Sequence, residues 1–155
     1  MGIEIEQAMA VAYRILSFRS HTRHEINMRL LKKGFSDDTI KRVLELLSQY
    51  GYLDDHAYTR QWIRQRINKR GLLGIKHELL QKGINQTLIE EVFRELAPEL
   101  EELEYEAACR LALKKFNRVE NCSWQKIARF LQYRGFSCES ISKVNRAFVN
   151  KTAKP

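Results

Sequence analysis

Proline and glycine are scarce in this sequence, with two and seven residues respectively among 155. Because these residues interrupt regular secondary structure, helices can run over most of the chain. Cysteine is scarce as well, and its three residues form no Cys-x-x-Cys pair, which argues against a zinc site or a disulfide framework. We therefore expect Cys109, Cys122 and Cys138 to be reduced thiols.

Long hydrophobic runs and catalytic motifs are also absent from the sequence. No apolar run approaches the roughly 20 residues that a membrane span needs, and the acidic start Met1–Glu6 has no signal-peptide pattern. There is no phosphate-binding loop and no nucleophile elbow, and no pattern of cysteines or paired carboxylates near the four histidines indicates a metal site. Asp54 and Asp55 are interpreted as helix-capping residues, because no third acidic ligand follows them. These absences predict a cytoplasmic protein that has no membrane span, is not an enzyme and has no metal site.

What the sequence does contain is a repeat centred on Gly34, Gly83 and Gly135. Each glycine follows a stretch with helical periodicity, at a position where a backbone turning through positive φ favours glycine. Isoleucine stands eight residues before each glycine and leucine four before; isoleucine stands six after and valine nine after. The repeated apolar residues are Ile26, Leu30, Ile40, Val43, Ile75, Leu79, Ile89, Val92, Ile127, Leu131, Ile141 and Val144.

This repeat predicts an all-α protein of three tandem three-helix repeats forming an elongated, curved array. The predicted boundaries are residues 1–50, 51–98 and 99–155, with the acidic segment 99–106 opening the third repeat. The last helix of the second repeat is expected to cover about residues 86–96.

Basic charge is the main functional signal, since the chain carries a formal net charge of +8. A balance of this kind favours a polyanion, an acidic protein surface or an anionic membrane as the partner, and of these we expect no membrane. The charge is segregated along the repeats: segments 8–33, 56–84 and 107–155 carry net charges of +5, +6 and +9. Ordinary solubilising charge is the alternative for any single lysine. The candidate partner-binding residues are Arg60, Arg64, Lys69, Arg70, Lys76, Lys82, Lys114, Lys115, Lys126, Arg129 and Arg134.

Acidic charge is concentrated in residues 85–106, which hold eight glutamates and one arginine. A solvated helix face is one interpretation, and a strip that folds against a basic neighbour and masks it is the other. Arg66 falls near the middle of an apolar arc, so we expect its guanidinium to pair with a carboxylate such as Asp54 or Asp55. A direct contact of Arg66 with a partner is the alternative.

Two kinds of partner fit a basic helical array. The array could dock into an acidic groove or along a nucleoprotein filament, or each unit could place a helix in the DNA major groove. The acidic pairs Asp37–Asp38 and Glu90–Glu91 argue against the second possibility, because they would face phosphates at the start of the post-glycine helices.

Two motifs resemble the RecX family of bacterial RecA regulators. The first combines Gly51, Tyr52, Leu53, Asp54 and Asp55 with Tyr58, Arg66, Ile75, Glu78, Leu79, Gln81, Lys82, Gly83 and Ile84, and the second is residues 128–136. The three-unit layout is similar to the family as well. The family often has Gly-Tyr-Gly-Pro before the middle helix of the second unit, and here only Gly71 matches.

The resemblance implies an all-α regulator that binds the RecA filament and inhibits its recombinase, ATPase and co-protease activities in recombination, DNA repair and the SOS response. It implies no cofactor. Single-stranded DNA within the filament could be contacted too, and we expect the protein to be a monomer. From the motif we expect structural roles for Gly51, Tyr52, Leu53, Asp54, Asp55, Arg66 and Gly83. The alternative is a helical module that binds nucleic acid independently of RecA.

Overall fold

The computed structural model describes residues 2–116 and 123–152 of the chain. These residues form α1 (Gly2–Leu16), α2 (Arg23–Lys32), α3 (Asp37–Gln49), α4 (Asp55–Arg66), α5 (Leu72–Gln81), α6 (Gln86–Phe116), α7 (Trp124–Tyr133) and α8 (Cys138–Thr152). The described residues include no strand, so the all-α prediction is confirmed. Cys122 lies outside the described residues, whereas Cys109 and Cys138 are free thiols. No described helix is long and apolar enough to cross a membrane.

Three hydrophobic cores follow one another along the chain, and each is built from three helical segments. The first core joins α1, α2 and α3; the second joins α4, α5 and the first half of α6; the third joins the second half of α6, α7 and α8. All twelve repeated apolar residues are buried in these cores. The spacing from the glycines therefore identified the inward faces of the second and third helices in each unit.

The turns between helices are formed by the residues that the sequence indicated. Gly34, Gly51, Gly83 and Gly135 all adopt positive φ, between 76° and 89°. Thr22 begins α2 with a capping box in which Thr22 Oγ1 accepts from the Glu25 amide at 3.1 Å and Glu25 Oε2 accepts from the Thr22 amide at 3.0 Å. Both ends of α2 are therefore defined by local hydrogen bonding and backbone preference.

The prediction for helix 86–96 was wrong, because α6 continues through Pro98 to Phe116 as one helix. Proline inside a helix removes a backbone hydrogen bond and costs about 3 kcal/mol. Packing offsets this cost: Leu100 belongs to the second core, and Ala107 to the third. The predicted boundary between residues 98 and 99 thus falls inside a shared helix, and the division of the chain at that point stays a prediction.

Both interpretations of the acidic residues 85–106 hold in part. Glu90 pairs with Lys76 and Glu95 with Arg60, whereas the later residues 99–106 form a solvated face with one exception. Glu99, Glu101, Glu102 and Glu106 are exposed and form no ion pair with another described residue. Glu104 is only 2% exposed, so its inclusion in a solvated strip was wrong. Its carboxylate lies where α5 and α8 begin, and it accepts hydrogen bonds from both of them.

Candidate functional site

The second and third units are joined by backbone hydrogen bonds that run from the loop before α5 and the first turn of α5 to the glycine turn after α7. The Gly71 amide donates to the Arg134 carbonyl at 3.0 Å, and the Leu73 amide donates to the Gly135 carbonyl at 3.1 Å. The backbones approach so closely that a Cβ atom on Gly71 would overlap the backbone of Phe136. The loop is therefore held rigidly against the third unit, although it lacks the proline common in the family it resembles.

A basic cleft opens beside this junction. Its volume is about 320 Å³, and we call it the inter-unit cleft. The residues that line it are Arg66, Lys69, Arg70, Tyr133 and Arg134. The structure thus brings together three of the predicted partner-binding residues. Arg134 comes from the turn that ends α7, and Lys69 and Arg70 come from the loop between α4 and α5.

The carboxylate of Glu78 fixes two of the arginines of the inter-unit cleft. Arg66 Nη2 donates to Glu78 Oε1 at 2.7 Å and Arg66 Nε donates to Glu78 Oε2 at 2.9 Å, while Arg70 Nε lies 2.9 Å from Oε1. Trp62 Nε1 donates to Oε2 at 2.9 Å. Burial alone raises the pKa of Glu78, but the hydrogen bonds from Arg66 and Trp62 outweigh it, so the pKa lies below its ordinary value.

Arg66 pairs with a carboxylate as expected, but the suggested partners Asp54 and Asp55 were wrong, because both aspartates have other partners. Asp54 caps α4 by accepting from the Ala57 amide at 2.9 Å. Asp55 accepts from the Arg23 amide at 3.0 Å and so links the second unit to the first. Glu78 lies on the adjacent helix and faces Arg66 inside the same unit, which a cap residue at the start of α4 cannot do.

Two further cations of the inter-unit cleft have no carboxylate partner within the described residues. The Arg134 guanidinium lies 5.3 Å from the centre of the Phe130 ring, and Arg134 Nη1 donates to the Lys69 carbonyl at 3.2 Å. The Lys69 side chain is exposed. The single carboxylate of Glu78 thus pairs with only two of the four cations, which leaves the inter-unit cleft positively charged and able to bind an anionic surface. Tyr133 adds an aromatic ring that is 90% exposed at its edge.

The remaining predicted cations do not gather at this cleft. Arg60 pairs with Glu95 at 3.2 Å, Lys76 with Glu90 at 3.2 Å, and Lys82 with Glu25 at 3.3 Å. Intramolecular carboxylates therefore neutralise these three. Arg64, Lys114, Lys126 and Arg129 are exposed with no ion pair to a described residue, and Lys115 lies 4.6 Å from the centre of the Phe130 ring. Their role in binding stays a prediction.

The motif residues lie mainly where the first and second units meet. Gly51 turns the chain after α3, Leu53 is buried in the first core, and Tyr52 packs edge-on against Tyr13 with ring centres 5.1 Å apart. At the opposite side, Thr22 Oγ1 donates to the Lys82 carbonyl at 2.7 Å. A Cβ atom on the following Gly83 would overlap His24. These contacts are those of residues that hold two units together.

Sequence reasoning missed Tyr133 of the inter-unit cleft as a binding candidate and kept a partner contact of Arg66 only as the alternative. Arg66 was interpreted as structural because it falls on an apolar arc, yet its guanidinium lines the cleft while it pairs with Glu78. Tyr133 was not singled out, although it stands two residues before a repeat glycine where the first two units have Lys32 and Gln81. A large aromatic residue at a position that is polar in the other repeats was the available signal.

Comparison with known proteins identifies the family to which these three units belong. Models of the first, second and third three-helix domains of RecX match residues 8–47, 54–92 and 101–144. Regulatory protein RecX of Vibrio vulnificus is 37% identical over 134 residues, which cover 84% of this chain and 85% of that protein. The chain belongs to the RecX family.

Other RecX proteins support the same assignment. Regulatory protein RecX of Pelodictyon phaeoclathratiforme is 38% identical over 92% of this chain and 89% of its own length. The crystal structure of RecX from Lactobacillus salivarius superposes with a TM-score of 0.85 at 25% identity, covering 95% of this chain and 97% of that one. The matched domains also divide the inter-unit cleft: Arg66 and Arg70 come from the second RecX domain, and Arg134 comes from the third.

Proposed function

We propose that this chain binds the RecA filament and inhibits its recombinase, ATPase and co-protease activities. Membership of a family whose members are named regulatory proteins carries the proposal. The absence of helices able to span a membrane in the described residues is compatible with the cytoplasmic site of RecA action. We propose further that the chain acts as a monomer.

The inter-unit cleft is the surface that we propose for filament contact. It is built by two units at once, so its charge depends on their relative position, and an extended partner would contact both. Lys69 and Arg134 offer charge that no described carboxylate offsets, whereas Glu78 holds Arg66 and Arg70 in fixed positions. A preorganised cation loses less side-chain entropy on binding than a mobile one. Docking of this surface into the filament groove would hinder the protomer movements that accompany ATP turnover.

The proposal is tested by reversing exposed charge without breaking an internal pair. Lys69 suits this purpose because it lines the inter-unit cleft, is exposed and pairs with no described carboxylate. The variant Lys69→Glu should raise the midpoint for inhibition of RecA ATP hydrolysis by about threefold or more, equivalent to ~0.7 kcal/mol. The effect should shrink as salt is added, since exposed charges are screened.

The matched control is Lys41→Glu on α3, where the side chain is exposed and lies outside the inter-unit cleft. This control makes the same change in net charge. Equal loss of inhibition by both variants would show that only overall charge matters. Full inhibition by Lys69→Glu with native helicity would remove the inter-unit cleft from the account.

A second candidate function is binding to single-stranded DNA without RecA. The exposed ring of Tyr133 beside four cations favours it, because nucleic-acid grooves combine basic charge with rings on which bases stack. The substitution Tyr133→Ala separates the two functions. It should weaken binding to an oligodeoxythymidine if bases stack on this ring, and it should leave that binding unchanged if the cleft contacts protein only.

A further inference from the structure

A second basic cleft lies in the first unit, between the end of α1 and the end of α2. Its volume is about 1010 Å³, and we call it the first-unit cleft. One wall is apolar and comes from Val11, Ile15 and Phe18, whereas the opposite wall and the rim are cationic. The cationic residues are Arg14, Arg19, Arg29, Lys32 and Lys33.

Most of the charge in the first-unit cleft has no internal partner. Arg19 shares the carboxylate of Glu25 at 3.3 Å, but the other four cations form no ion pair with a described residue. No acidic residue lines the cleft. His21 does not add to its charge near neutral pH, because burial lowers the pKa of the ring below its ordinary value. The cleft therefore gathers uncompensated positive charge against an apolar wall.

The repeat shows what is missing from the first-unit cleft. Five residues before the repeat glycine, the second unit has Glu78, which binds Arg66 and Arg70 between α4 and α5. The third unit has Phe130 at this position, and its ring packs against Phe116. The first unit has Arg29, which adds a cation where the second unit has a carboxylate. A carboxylate supplied from outside would do in the first unit what Glu78 does in the second.

Phe18 gives the first-unit cleft an apolar anchoring point. Its side chain is 80% exposed in the loop after α1, and it is continuous with the apolar wall formed by Val11 and Ile15. Aromatic residues of this kind provide large contact area at interfaces. Buried His21 lies in the same cleft, and its Nε2 has no hydrogen-bond partner among the described residues. Buried polar atoms in native proteins nearly always have a hydrogen-bond partner, so this unpaired nitrogen is unusual.

We infer that the first-unit cleft binds an acidic amphipathic segment of a partner protein, with an apolar side chain against Phe18 and carboxylates on the surrounding cations. A helix that binds in a groove makes contact through apolar side chains about one turn apart. The apolar wall formed by Val11, Ile15 and Phe18 has the corresponding spacing. Nucleic acid fits less well, because this cleft has one exposed ring and an aliphatic wall where stacking surfaces would be needed. The inference does not depend on RecA being the partner.

The test uses the full chain and a fluorescein-labelled 15-residue helical peptide with glutamates on its polar face and a leucine and a phenylalanine one turn apart. Fluorescence anisotropy should show saturable binding with a Kd below about 100 µM. Arg29→Glu places the carboxylate of the second unit into the first-unit cleft, so it should raise the Kd at least about tenfold without lowering the melting temperature. Phe18→Ser should weaken binding through the lost apolar contact.

The control variant is Arg42→Glu, which makes the same charge change on exposed α3 and should alter the Kd by less than about threefold. The inference is overturned if the peptide does not saturate below about 1 mM or if both charge variants weaken it equally. It is also overturned if an oligodeoxythymidine binds more tightly and is sensitive to Arg29→Glu. Sedimentation velocity gives the last outcome: a dimer that Arg29→Glu dissolves would make a second copy of the chain the occupant.

Discussion

The buried carboxylate of Glu104 is predicted to be the main polar contact between the second and third units. Glu104 Oε1 accepts from the Leu72 amide at 2.9 Å and from the Ser137 amide at 3.1 Å. Glu104 Oε2 accepts from Ser137 Oγ at 2.8 Å and from Ser140 Oγ at 2.6 Å. The two amides belong to the N-terminal ends of α5 and α8, where amides lack partners within their own helix and favour negative charge.

The size of the effect follows from these four donors. Glu104→Ala leaves two partly buried amides without an acceptor, and each unsatisfied group costs about 1–3 kcal/mol, so we expect a loss of about 2–6 kcal/mol. Glu104→Gln retains the shape and one acceptor oxygen, and the hydroxyls of Ser137 and Ser140 can rotate to accept from the new amide group. Glu104→Gln therefore loses only the extra strength that a negative charge gives to these hydrogen bonds, and the expected loss in the free energy of unfolding is about 1–2 kcal/mol.

Urea unfolding followed by circular dichroism measures these losses as changes in the free energy of unfolding. The matched control is Glu106→Ala in the same helix, an exposed position where a change within about 0.5 kcal/mol is expected. Glu104→Ala with a stability equal to that of Glu106→Ala would refute the reasoning. Equal destabilisation by Glu104→Gln and Glu104→Ala would also refute the reasoning, because it would mean that the oxygen retained in glutamine does not satisfy the two amides.

Two other predictions concern stability. A Cβ atom on Gly34 meets nothing within 4 Å, whereas one on Gly135 overlaps the backbone of Gly74. Both glycines have positive φ, so Gly34→Ala should lower the free energy of unfolding by about 1–2 kcal/mol. Gly135→Ala should lower it by at least about 2 kcal/mol more, because of the overlap with Gly74. Equal losses in urea unfolding would contradict the close packing of Gly135 against Gly74. The pKa of Glu78 is lowered from 4.5, so at acidic pH its carboxylate binds fewer protons in the folded chain than in the unfolded chain. The carboxylate therefore contributes fully to the free energy of unfolding above about pH 5. This contribution is lost as the pH falls through the folded pKa. Glu78→Gln should therefore be about 1–3 kcal/mol less stable than the unsubstituted chain at pH 7, and this difference in the free energy of unfolding should become smaller below pH 4. A difference that does not change with pH would count against the pairing of Glu78 with Arg66.

The fold was predictable because its main determinants are local in sequence. Apolar residues at fixed distances from Gly34, Gly83 and Gly135 define the buried faces, and the turns need positive φ at those glycines. The capping box at Thr22 is equally local. Continuation of α6 through Pro98 was not predictable in this way, since its cost is offset by packing into two separate cores.

The candidate site was predictable only in part, because it depends on contacts between distant residues. The sequence indicated Lys69, Arg70 and Arg134 as basic, but not that the turn at Gly135 would bring them into one cleft. Nor could local spacing show which carboxylates neutralise which cations. The pairing of Arg70 with Glu78 and the burial of Glu104 between helix ends both arise from tertiary packing.

The most direct test of the proposed function is the single-stranded-DNA-dependent ATP hydrolysis of RecA, titrated with this chain beside direct binding to the same DNA without RecA. The account predicts inhibition at concentrations where the DNA alone is not bound. Inhibition that appears only where the chain already coats the DNA would contradict it and would favour competition for the strand. No inhibition at any concentration would contradict it outright.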